Sequence, residues 1–489
     1  MIAVAAAFCL SFLASLALET QPPSLQSLKA PARALVLRLL VHVVIFAGAF
    51  ALSWRPWHAA LVTCVVAFLF GAGSAMKARI LGEPVVFSDF ALVRLAIRHP
   101  RLYYADKLAE PKALAVFAGL AVATAAWFAI EPVILPAGGW PLLALPPLVV
   151  ALAVLVLRSD ALARFARPLV GERPEIEADV ARLGLGATMA AHWLAWRKQP
   201  RPGPAAAQAI AAVRPIGARA PDVVVAIQCE SFTDVAARGV AGPELPNYRR
   251  LCDEALAWGR CRTAAEGAYT MRAELGFLTG LSTEAFGFDA FDPYLVSPSY
   301  AQASMARAFR AAGRRTVFLH PYDRRFFSRD EFVPQLGFDR FVDGEAFAAS
   351  DRFGPYVGDA AVAEAIRAEI ERAEGPLFLF VVTIENHGPW GPGRLPGVDE
   401  PEAQYALHLQ NSDRMMGAVA DVLRGVPGGG VLCLYGDHAP ARTLHPDLPD
   451  RRAADYVLWD SRSIAEVPTD RADVDVDAVG RLMIERTCA

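Results

Sequence analysis

Charged residues are scarce in this sequence, and the scarcity is greatest in its first third. Asp, Glu, Lys and Arg make up 20% of the 489 residues, while hydrophobic residues make up 54%. Residues 1–158 contain 12 basic and 6 acidic residues, and the remainder of the chain contains 36 and 45. So apolar a composition excludes a disordered chain, and the charge-rich second part excludes a protein that lies wholly in a membrane.

The sequence has neither an excess of basic residues nor an abundance of cysteine. Acidic residues outnumber basic ones in the second part, so its charge gives no indication of nucleic-acid binding. Seven cysteines in a chain of this length exclude a disulfide framework. Cys252 and Cys261 could pair in an oxidising compartment, but buried free thiols are the favoured interpretation.

Five long apolar stretches fill the first part. Each is close to the ~20 residues with which a helix crosses a bilayer, and together they predict a transmembrane domain over residues 1–158. The first stretch lacks a basic segment ahead of it, so it is interpreted as a span rather than as a cleaved signal peptide. The predicted spans are residues 2–18, 35–53, 59–76, 113–130 and 138–157.

The basic residues between these stretches bear on orientation. With five spans, loops 19–34 and 77–112 lie on the same side of the membrane as the C-terminal part. These two loops carry nine basic residues, whereas the opposite loops carry only Arg55. The positive-inside rule thus places the C-terminal part in the cytoplasm. Alternatively, residues 87–99 form an amphipathic helix on the membrane surface, where their basic side chains contact anionic headgroups.

A connecting region and an α/β pattern make up the second part. Residues 159–221 comprise an amphipathic stretch over 173–197 and a Pro- and Ala-rich linker. In residues 222–489, short β-branched and aromatic runs alternate with helical stretches, which predicts an α/β domain with a mostly parallel sheet. The clearest strands are predicted at 223–228, 315–319, 377–384 and 431–435, and helices at 271–280, 301–312, 359–373 and 402–424.

Side chains that bind metal or phosphate follow each of the four predicted strands. Glu230 follows the first strand, His320 the second, His387 the third, and Asp437 with His438 the fourth. In open α/β sheets, ligands bind at the carboxyl ends of the strands, so these residues are expected to form one site. The carboxylates of Glu230 and Asp437 and the His438 imidazole suit Mn²⁺ or Mg²⁺ and also allow Zn²⁺.

Thr270 is a candidate nucleophile, because it stands where a Gly-containing loop meets an apolar-periodic helix. Backbone N–H groups and the helix dipole at such a position favour an alkoxide and an incoming phosphate. An alternative is that Thr270 only caps the helix, with Glu274 completing a capping box. Arg262 and Arg272, which lie nearby, could bind phosphate, but solvated side chains are the favoured interpretation.

Six segments occur in a specific order: VVVAIQCESF, GAYTMRAELGFLTGL, FLHPYDRRFFSRDEFVPQLGFDRF, TIENHGPW, YALHLQNSD and LYGDHAP. In this order they resemble the lipoteichoic acid synthase and phosphoglycerol transferase family, in the sulfatase-like branch of the alkaline phosphatase superfamily. The resemblance covers most of residues 222–445, and the five preceding spans match the family's architecture. It implies an alkaline-phosphatase/sulfatase-like α/β domain behind an N-terminal α-helical membrane domain.

The resemblance also implies roles for individual residues. Glu230, Asp437 and His438 match the family's metal ligands, and Thr270 matches the nucleophile that also touches the metal, expected to be Mn²⁺. His387 matches a catalytic histidine on the substrate side.

A second set of matches concerns the substrate. His320 and Arg329 match the residues that hold the phosphoglycerol group. Phe327 occupies an aromatic position where the family usually carries Trp, and Ser328 replaces a usual Asn.

The implied activity is transfer of phosphoglycerol from a phospholipid, phosphatidylglycerol, through a phosphothreonine to a hydroxyl of an envelope glycan or glycolipid. The implied location is the bacterial cytoplasmic membrane, with the catalytic domain on the periplasmic or extracellular side. A phosphoethanolamine transferase and a phosphodiesterase of the same superfamily are the alternatives. A formylglycine sulfatase is disfavoured, because no Cys/Ser-x-Pro-x-Arg string occurs. A non-enzymatic sensor or scaffold is disfavoured, because every metal-site residue is present.

Overall fold

The computed structural model describes residues 2–19, 29–91, 93, 111–135, 138–201, 220–463 and 471–488. The chain forms two compact units, the first comprising Met1–Arg79 with Glu83–Pro200 and the second Ile80–Gly82 with Arg201–Ala489. The predicted surface helix at 87–99 and the Pro- and Ala-rich linker lie mostly outside the described residues.

Helices make up the first unit, because a helix satisfies the backbone hydrogen bonds of an apolar segment internally. Among the described residues, three helical segments are long and apolar enough to cross a membrane: Ala32–Ser53, Pro56–Leu81 and Trp140–Leu157. Ile2–Leu18 and Leu114–Ile130 are shorter apolar helices, so the predicted number of five spans is not confirmed. The α-helices are α1 (Ile2–Leu18), α2 (Ala32–Ser53), α3 (Pro56–Leu81), α4 (Pro111–Ile130), α5 (Leu145–Leu157), α6 (Asp160–Ala166), α7 (Ile176–Leu183) and α8 (Leu185–Lys198).

The predicted amphipathic stretch 173–197 forms two helices, α7 and α8. Gly184 separates α7 from α8 with a φ of +85°, which residues with a side chain rarely adopt. Asp179 on α7 accepts hydrogen bonds from Arg182 Nη2 at 2.7 Å and from His192 Nε2 at 2.8 Å. A buried carboxylate therefore joins the two helices.

An eight-stranded sheet forms the centre of the second unit. Its strands and those of a separate two-stranded ribbon are β1 (Val223–Cys229), β2 (Ala257–Arg262), β3 (Arg315–Leu319), β4 (Arg340–Val342), β5 (Arg352–Phe353), β6 (Tyr356–Val357), β7 (Leu377–Val382), β8 (Gly430–Gly436), β9 (Ala453–Asp460) and β10 (Val474–Asp475). The large sheet has the order β10-β2-β9-β8-β1-β7-β3-β4, and only β9 is antiparallel to its neighbours. The mostly parallel sheet predicted from the sequence is confirmed.

Helices cover both faces of this sheet, which explains why its central strands are apolar along their whole length. Val223, Val225 and Ile227 of β1 pack into one hydrophobic cluster, while Val224 and Ala226 pack into another on the opposite face. The helices are α9 (Pro246–Asp253), α10 (Thr270–Thr279), α11 (Thr283–Phe286), α12 (Ser297–Tyr300), α13 (Met305–Ala311), α14 (Arg329–Gln335), α15 (Asp359–Glu371), α16 (Pro401–Arg424) and α17 (Val476–Cys488).

The predicted elements differ from the observed ones mainly at their ends. The helix expected over 301–312 begins at Met305, because the Ser304 side chain accepts from Ala306 N at 3.1 Å and caps it. Cys252 and Cys261 are both buried free thiols, as the favoured interpretation expected.

Candidate functional site

The four strands predicted from the sequence end at the same edge of the sheet. β1 lies between β7 and β8, and β3 pairs with β7, all in parallel. In the β1–β8 register, Cys229 is opposite Gly436. Glu230 and Asp437, which come next, therefore leave adjacent strands side by side.

Glu230, Asp437 and His438 form a buried cluster whose ligand atoms lie within 4.8 Å of one another. His438 Nε2 is 3.4 Å from Glu230 Oε1 and 3.5 Å from Asp437 Oδ2. The other ring nitrogen, Nδ1, lies 2.9 Å from the Ala439 carbonyl oxygen. A proton on Nδ1 donates to that carbonyl and leaves Nε2 as the ligand atom, the usual arrangement for a metal-binding histidine.

The electrostatics of this cluster fit a divalent cation. Burial, and next the charge of Glu230, raises the pKa of Asp437 to about 7. Burial acts to lower the pKa of His438, but the charges of Asp437 and Glu230 outweigh it and raise that pKa. Asp437 Oδ2 is buried and has no hydrogen-bond partner among the described residues. A cation between the two carboxylates would compensate both charges and use this oxygen.

Thr270 lies beside this cluster, at the first position of α10. Its side chain interacts with the Asp437 carboxylate, and this interaction acts to lower the pKa of Asp437. Tyr269, which precedes it, has a φ of 64°, a left-handed conformation that is costly for an aromatic residue. Neither Tyr269 nor Thr270 forms the capping box that the alternative interpretation expected, because Glu274 is bonded to Arg329 instead.

Arg329 is buried against the middle of α10, where it contacts Glu274. Its Nη2 donates to Glu274 Oε2 at 2.7 Å, and its guanidinium carbon lies 5.4 Å from the Phe327 ring centroid. Phe327 and Ser328 both have a φ of 55°, so a strained turn leads directly into Arg329. Arg329 Nη1 has no hydrogen-bond partner in the part of the chain that the structure describes.

His320 follows β3 and is 2% exposed. Its Nδ1 lies 3.0 Å from the Val382 carbonyl oxygen and donates to it, while Nε2 has no partner among the described residues. Burial, and next the charges of Arg329 and His387, holds the pKa of His320 well below its ordinary value. His320 is therefore a neutral imidazole whose Nε2 accepts hydrogen bonds.

His387 lies half-buried in the loop after β7. Its Nδ1 is 2.8 Å from the Gly388 carbonyl oxygen, and its ring centroid is 5.8 Å from that of Tyr356. Arg394 fixes this loop on both sides of the imidazole, because it donates to the carbonyl oxygens of Glu385 at 3.0 Å and Pro389 at 2.9 Å.

Sequence reasoning missed several residues that support the site. Asn386 Nδ2 donates to the Glu230 carbonyl oxygen at 3.0 Å, and its place directly before His387 was the available signal. Tyr294, whose hydroxyl donates to Glu274, had no local signal. Arg272 was expected to be solvated but is buried: its Nε donates to the Phe291 carbonyl oxygen at 3.0 Å, and its guanidinium carbon lies 4.0 Å from the Tyr269 ring centroid.

Comparison with known proteins identifies the class. The family model described as Sulfatase matches residues 222–479, which is more than half of the chain. The capsular polysaccharide biosynthesis protein RkpI of Rhizobium meliloti (strain 1021) is 33% identical over 463 residues, which cover 90% of this chain and 84% of the relative. The chain therefore belongs to the sulfatase family, and the sulfatase-like membership expected from the sequence is confirmed.

Two solved structures resemble this chain. The lipooligosaccharide phosphoethanolamine transferase A (EptA) of Neisseria meningitidis matches 92% of this chain and 87% of its own, with a TM-score of 0.51 and 14% identity. Streptococcus pyogenes phosphoglycerol transferase GacH matches 58% of this chain and 78% of its own, with a TM-score of 0.44 and 19% identity. The first likeness shows that helices followed by an α/β domain form a known architecture.

Proposed function

We propose that the chain is a membrane-anchored, metal-dependent transferase that moves a phosphoglycerol group from phosphatidylglycerol to a hydroxyl of an envelope glycan or glycolipid. The observation that carries the proposal is the Thr270 hydroxyl beside the buried cluster of Glu230, Asp437 and His438. These four residues would hold Mn²⁺, with Mg²⁺ and Zn²⁺ as alternatives. When bound, the cation lowers the pKa of the Thr270 hydroxyl and stabilises charge on the phosphoryl oxygens.

The first step forms a covalent adduct. The Thr270 alkoxide attacks the phosphorus of the lipid, the bond from phosphorus to the diacylglycerol oxygen breaks, and His387 gives its proton to the leaving oxygen. Arg329 Nη1 donates to a non-bridging oxygen, where negative charge develops. The product is a phosphothreonine diester that carries glycerol, together with free diacylglycerol.

The second step reverses these roles. An acceptor hydroxyl attacks the same phosphorus, His387 accepts its proton, and the bond from phosphorus to the Thr270 oxygen breaks. Thr270 returns as the alkoxide and His387 returns protonated, so the cycle consumes no proton. The product is the acceptor esterified with phosphoglycerol.

The headgroup pocket favours glycerol over ethanolamine. His320 Nε2 only accepts hydrogen bonds, and Arg329 Nη1 only donates them. A glycerol hydroxyl can donate to His320 Nε2 and accept from the second N–H of Arg329 Nη1, whose first N–H binds the phosphoryl oxygen. An ammonium group only donates and gains nothing from Arg329. These contacts disfavour the alternative, phosphoethanolamine transfer.

The name of the relative RkpI concerns capsular polysaccharide, which supports a glycan as the acceptor. Such acceptors lie outside the cytoplasm. We therefore propose a protein of the bacterial cytoplasmic membrane whose catalytic unit faces the periplasm or exterior and whose partners are the lipid bilayer, the phospholipid and the glycan.

Labelled substrate tests the first step. Purified protein is incubated with Mn²⁺ and phosphatidylglycerol labelled in its headgroup, and diacylglycerol and labelled protein are measured. We expect an adduct on Thr270 that Thr270→Ala abolishes, because no other hydroxyl is proposed as the nucleophile. Phosphatidylethanolamine labelled in the same way should give less adduct.

The matched control is Thr283→Ala, since Thr283 is an exposed threonine in the next helix. It should label as the wild type does. An unlabelled wild type, or equal labelling of Thr270→Ala, would overturn the assignment of the nucleophile. Release of free glycerol phosphate whether or not a glycan acceptor is present would identify a phosphodiesterase instead.

A further inference from the structure

Arg329 contacts a buried carboxylate, and the proposed reaction does not use this carboxylate. Glu274 is on α10, one turn after Thr270, and its side chain is completely buried. Its Oε2 accepts from Arg329 Nη2 at 2.7 Å, and its Oε1 lies 3.5 Å from Arg329 Nε. The two charges therefore face each other along one edge of the guanidinium group.

Tyr294 completes this arrangement. Its hydroxyl donates to Glu274 Oε1, so both carboxylate oxygens are engaged within the protein. Its ring centroid lies 3.9 Å from that of Phe332, which is on α14 with Arg329. Glu274, Tyr294 and Arg329 come from three separate segments and meet in one buried cluster.

Because the guanidinium group is planar, its contact with Glu274 also orients the remaining nitrogen of Arg329. Its nitrogens form a rigid fork, so fixing Nη2 and Nε also fixes where Nη1 lies. Nη1 is the atom without a partner among the described residues. Uncharged side chains in place of Glu274 would leave Arg329 as an uncompensated buried charge, free to turn toward another acceptor.

Glu274 also connects this donor to the nucleophile. Thr270 and Glu274 are four residues apart on α10, so they lie on the same face of one helix. A rigid helix turn therefore sets the separation between the Thr270 oxygen and the guanidinium group that Glu274 holds.

We infer that Glu274 is a positioning residue that, with Tyr294, aims Arg329 Nη1 at the phosphoryl group attacked by Thr270. The inference rests on the proposed function, since it assigns a task within the same reaction. An ion pair with a purely structural role would stabilise the fold, and the effect of Glu274 on the reaction rate would then not depend on Arg329.

A double-mutant cycle separates these two roles. The rate of adduct formation from labelled phosphatidylglycerol and its KM are measured for Glu274→Gln and Tyr294→Phe, each in the wild-type and Arg329→Ala backgrounds. In the wild-type background, Glu274→Gln should slow the reaction between about tenfold and a hundredfold, with KM changing less, because misplacing a group acts mainly on the transition state. In the Arg329→Ala background it should have almost no further effect.

Two additions keep the experiment decisive. Glu331→Gln removes an exposed carboxylate from α14 and should leave the rate unchanged. If Glu274→Gln does not fold, as melting curves would show, Tyr294→Phe carries the test, because it removes one hydroxyl and keeps the ion pair. We expect it to slow the reaction about threefold, and only when Arg329 is present.

The outcomes distinguish the inference from the function on which it rests. A wild type that forms no adduct contradicts the proposed function. An active wild type in which Glu274→Gln or Tyr294→Phe has the same effect in both backgrounds overturns the positioning role alone. Loss of the effect in Arg329→Ala supports it.

Discussion

At the scale of single residues, Asp437 makes the metal-free protein sensitive to pH. Its pKa is raised from an ordinary 3.8 to about 7, because it is buried beside Glu230. The folded state therefore holds a proton that the unfolded state has already released. Ionised Asp437 destabilises the fold progressively as the pH rises from about 4 to about 7, and this cost is constant above that range.

We predict that a divalent cation reverses this loss. With Mn²⁺ at one hundred times its dissociation constant, the free energy of unfolding at pH 7.5 should rise by about 2.7 kcal/mol. At pH 5 the gain should be smaller, since protons compete for the same oxygens. Melting temperatures measured at both pH values, with and without Mn²⁺, check this.

Asp437→Asn is the variant that isolates the effect, because Glu385, whose pKa burial also raises to about 7, contributes to the same pH range. The variant should lose both the part of the pH dependence due to Asp437 and most of the response to Mn²⁺. An unchanged Mn²⁺ response in the variant would contradict the ligand role of Asp437.

The same scale shows which site residues a sequence can predict. Glu230 and Asp437 follow apolar strands directly, so their meeting is fixed by strand order and is visible in the sequence pattern. Tyr294 and Glu274 are brought together by tertiary packing, for which no local pattern exists. Arg272 was misjudged because α10 is buried on all sides, which helical periodicity does not reveal.

At the scale of elements, burial on both faces made the parallel strands β1, β7 and β8 predictable, although the equally buried antiparallel strand β9 is not among the predicted ones. β1 was predicted at 223–228 and ends at Cys229, and β8 was predicted at 431–435 and spans Gly430–Gly436. β2 (AWGRCR) is not among the predicted strands, because it lies next to the short edge strand β10 and carries two arginines. Among the described residues β10 pairs only with Cys261 and Arg262, so most of β2 lies at the edge of the sheet, where strands face solvent and their composition resembles that of loops.

Gly436, the last residue of β8, is closely packed, and this packing fixes the position of the adjacent metal-site residue Asp437. A Cβ there would overlap the Phe232 carbonyl oxygen and lie 2.7 Å from Ala454 Cβ. We predict that Gly436→Ala lowers the free energy of unfolding by about 1–3 kcal/mol, the usual cost of overpacking. Because Asp437 follows immediately, Mn²⁺ affinity should also fall.

Gly375→Ala is the control, since a Cβ at Gly375 meets nothing within 4 Å. It should leave both the melting temperature and the Mn²⁺ titration unchanged. A Gly436→Ala protein with wild-type stability and Mn²⁺ affinity would contradict the proposed close fit at the end of β8.

At the scale of the whole molecule, contacts within the first unit show which helix ends lie at the same end of the bundle. Glu131, just after α4, accepts from the backbone N–H groups of Trp57 at 2.7 Å and His58 at 2.8 Å, so α4 ends where α3 begins. Arg33 Nη1 donates to the Phe165 carbonyl oxygen at 3.0 Å, so the chain after α5 returns to the start of α2. These contacts put residues 33 and 165 at one end of the helices and residues 55 and 131 at the other.

With this order of helix ends, the distribution of basic residues and the proposed function favour opposite orientations in the membrane. If α2 to α5 cross the bilayer, the basic loops share a side with the catalytic unit, and the positive-inside rule favours the cytoplasm for both. The proposed transfer requires the outside, because its glycan acceptors are there. Contact between the basic residues of 77–112 and headgroups would allow the outside orientation, since snorkelling side chains bind anionic lipid without entering the cytoplasm.

Compartment-sensitive reporters fused after residue 55 and after residue 160 decide between these orientations. We predict periplasmic activity for the fusion after 160 and cytoplasmic activity for the fusion after 55, because the two positions lie at opposite ends of the helices. The fusion after 55 is the control, since both fusions in one compartment would contradict the helix order. A cytoplasmic signal after 160 with a periplasmic signal after 55 would keep that order and overturn the transferase proposal, because the Thr270 site would then face away from every envelope acceptor.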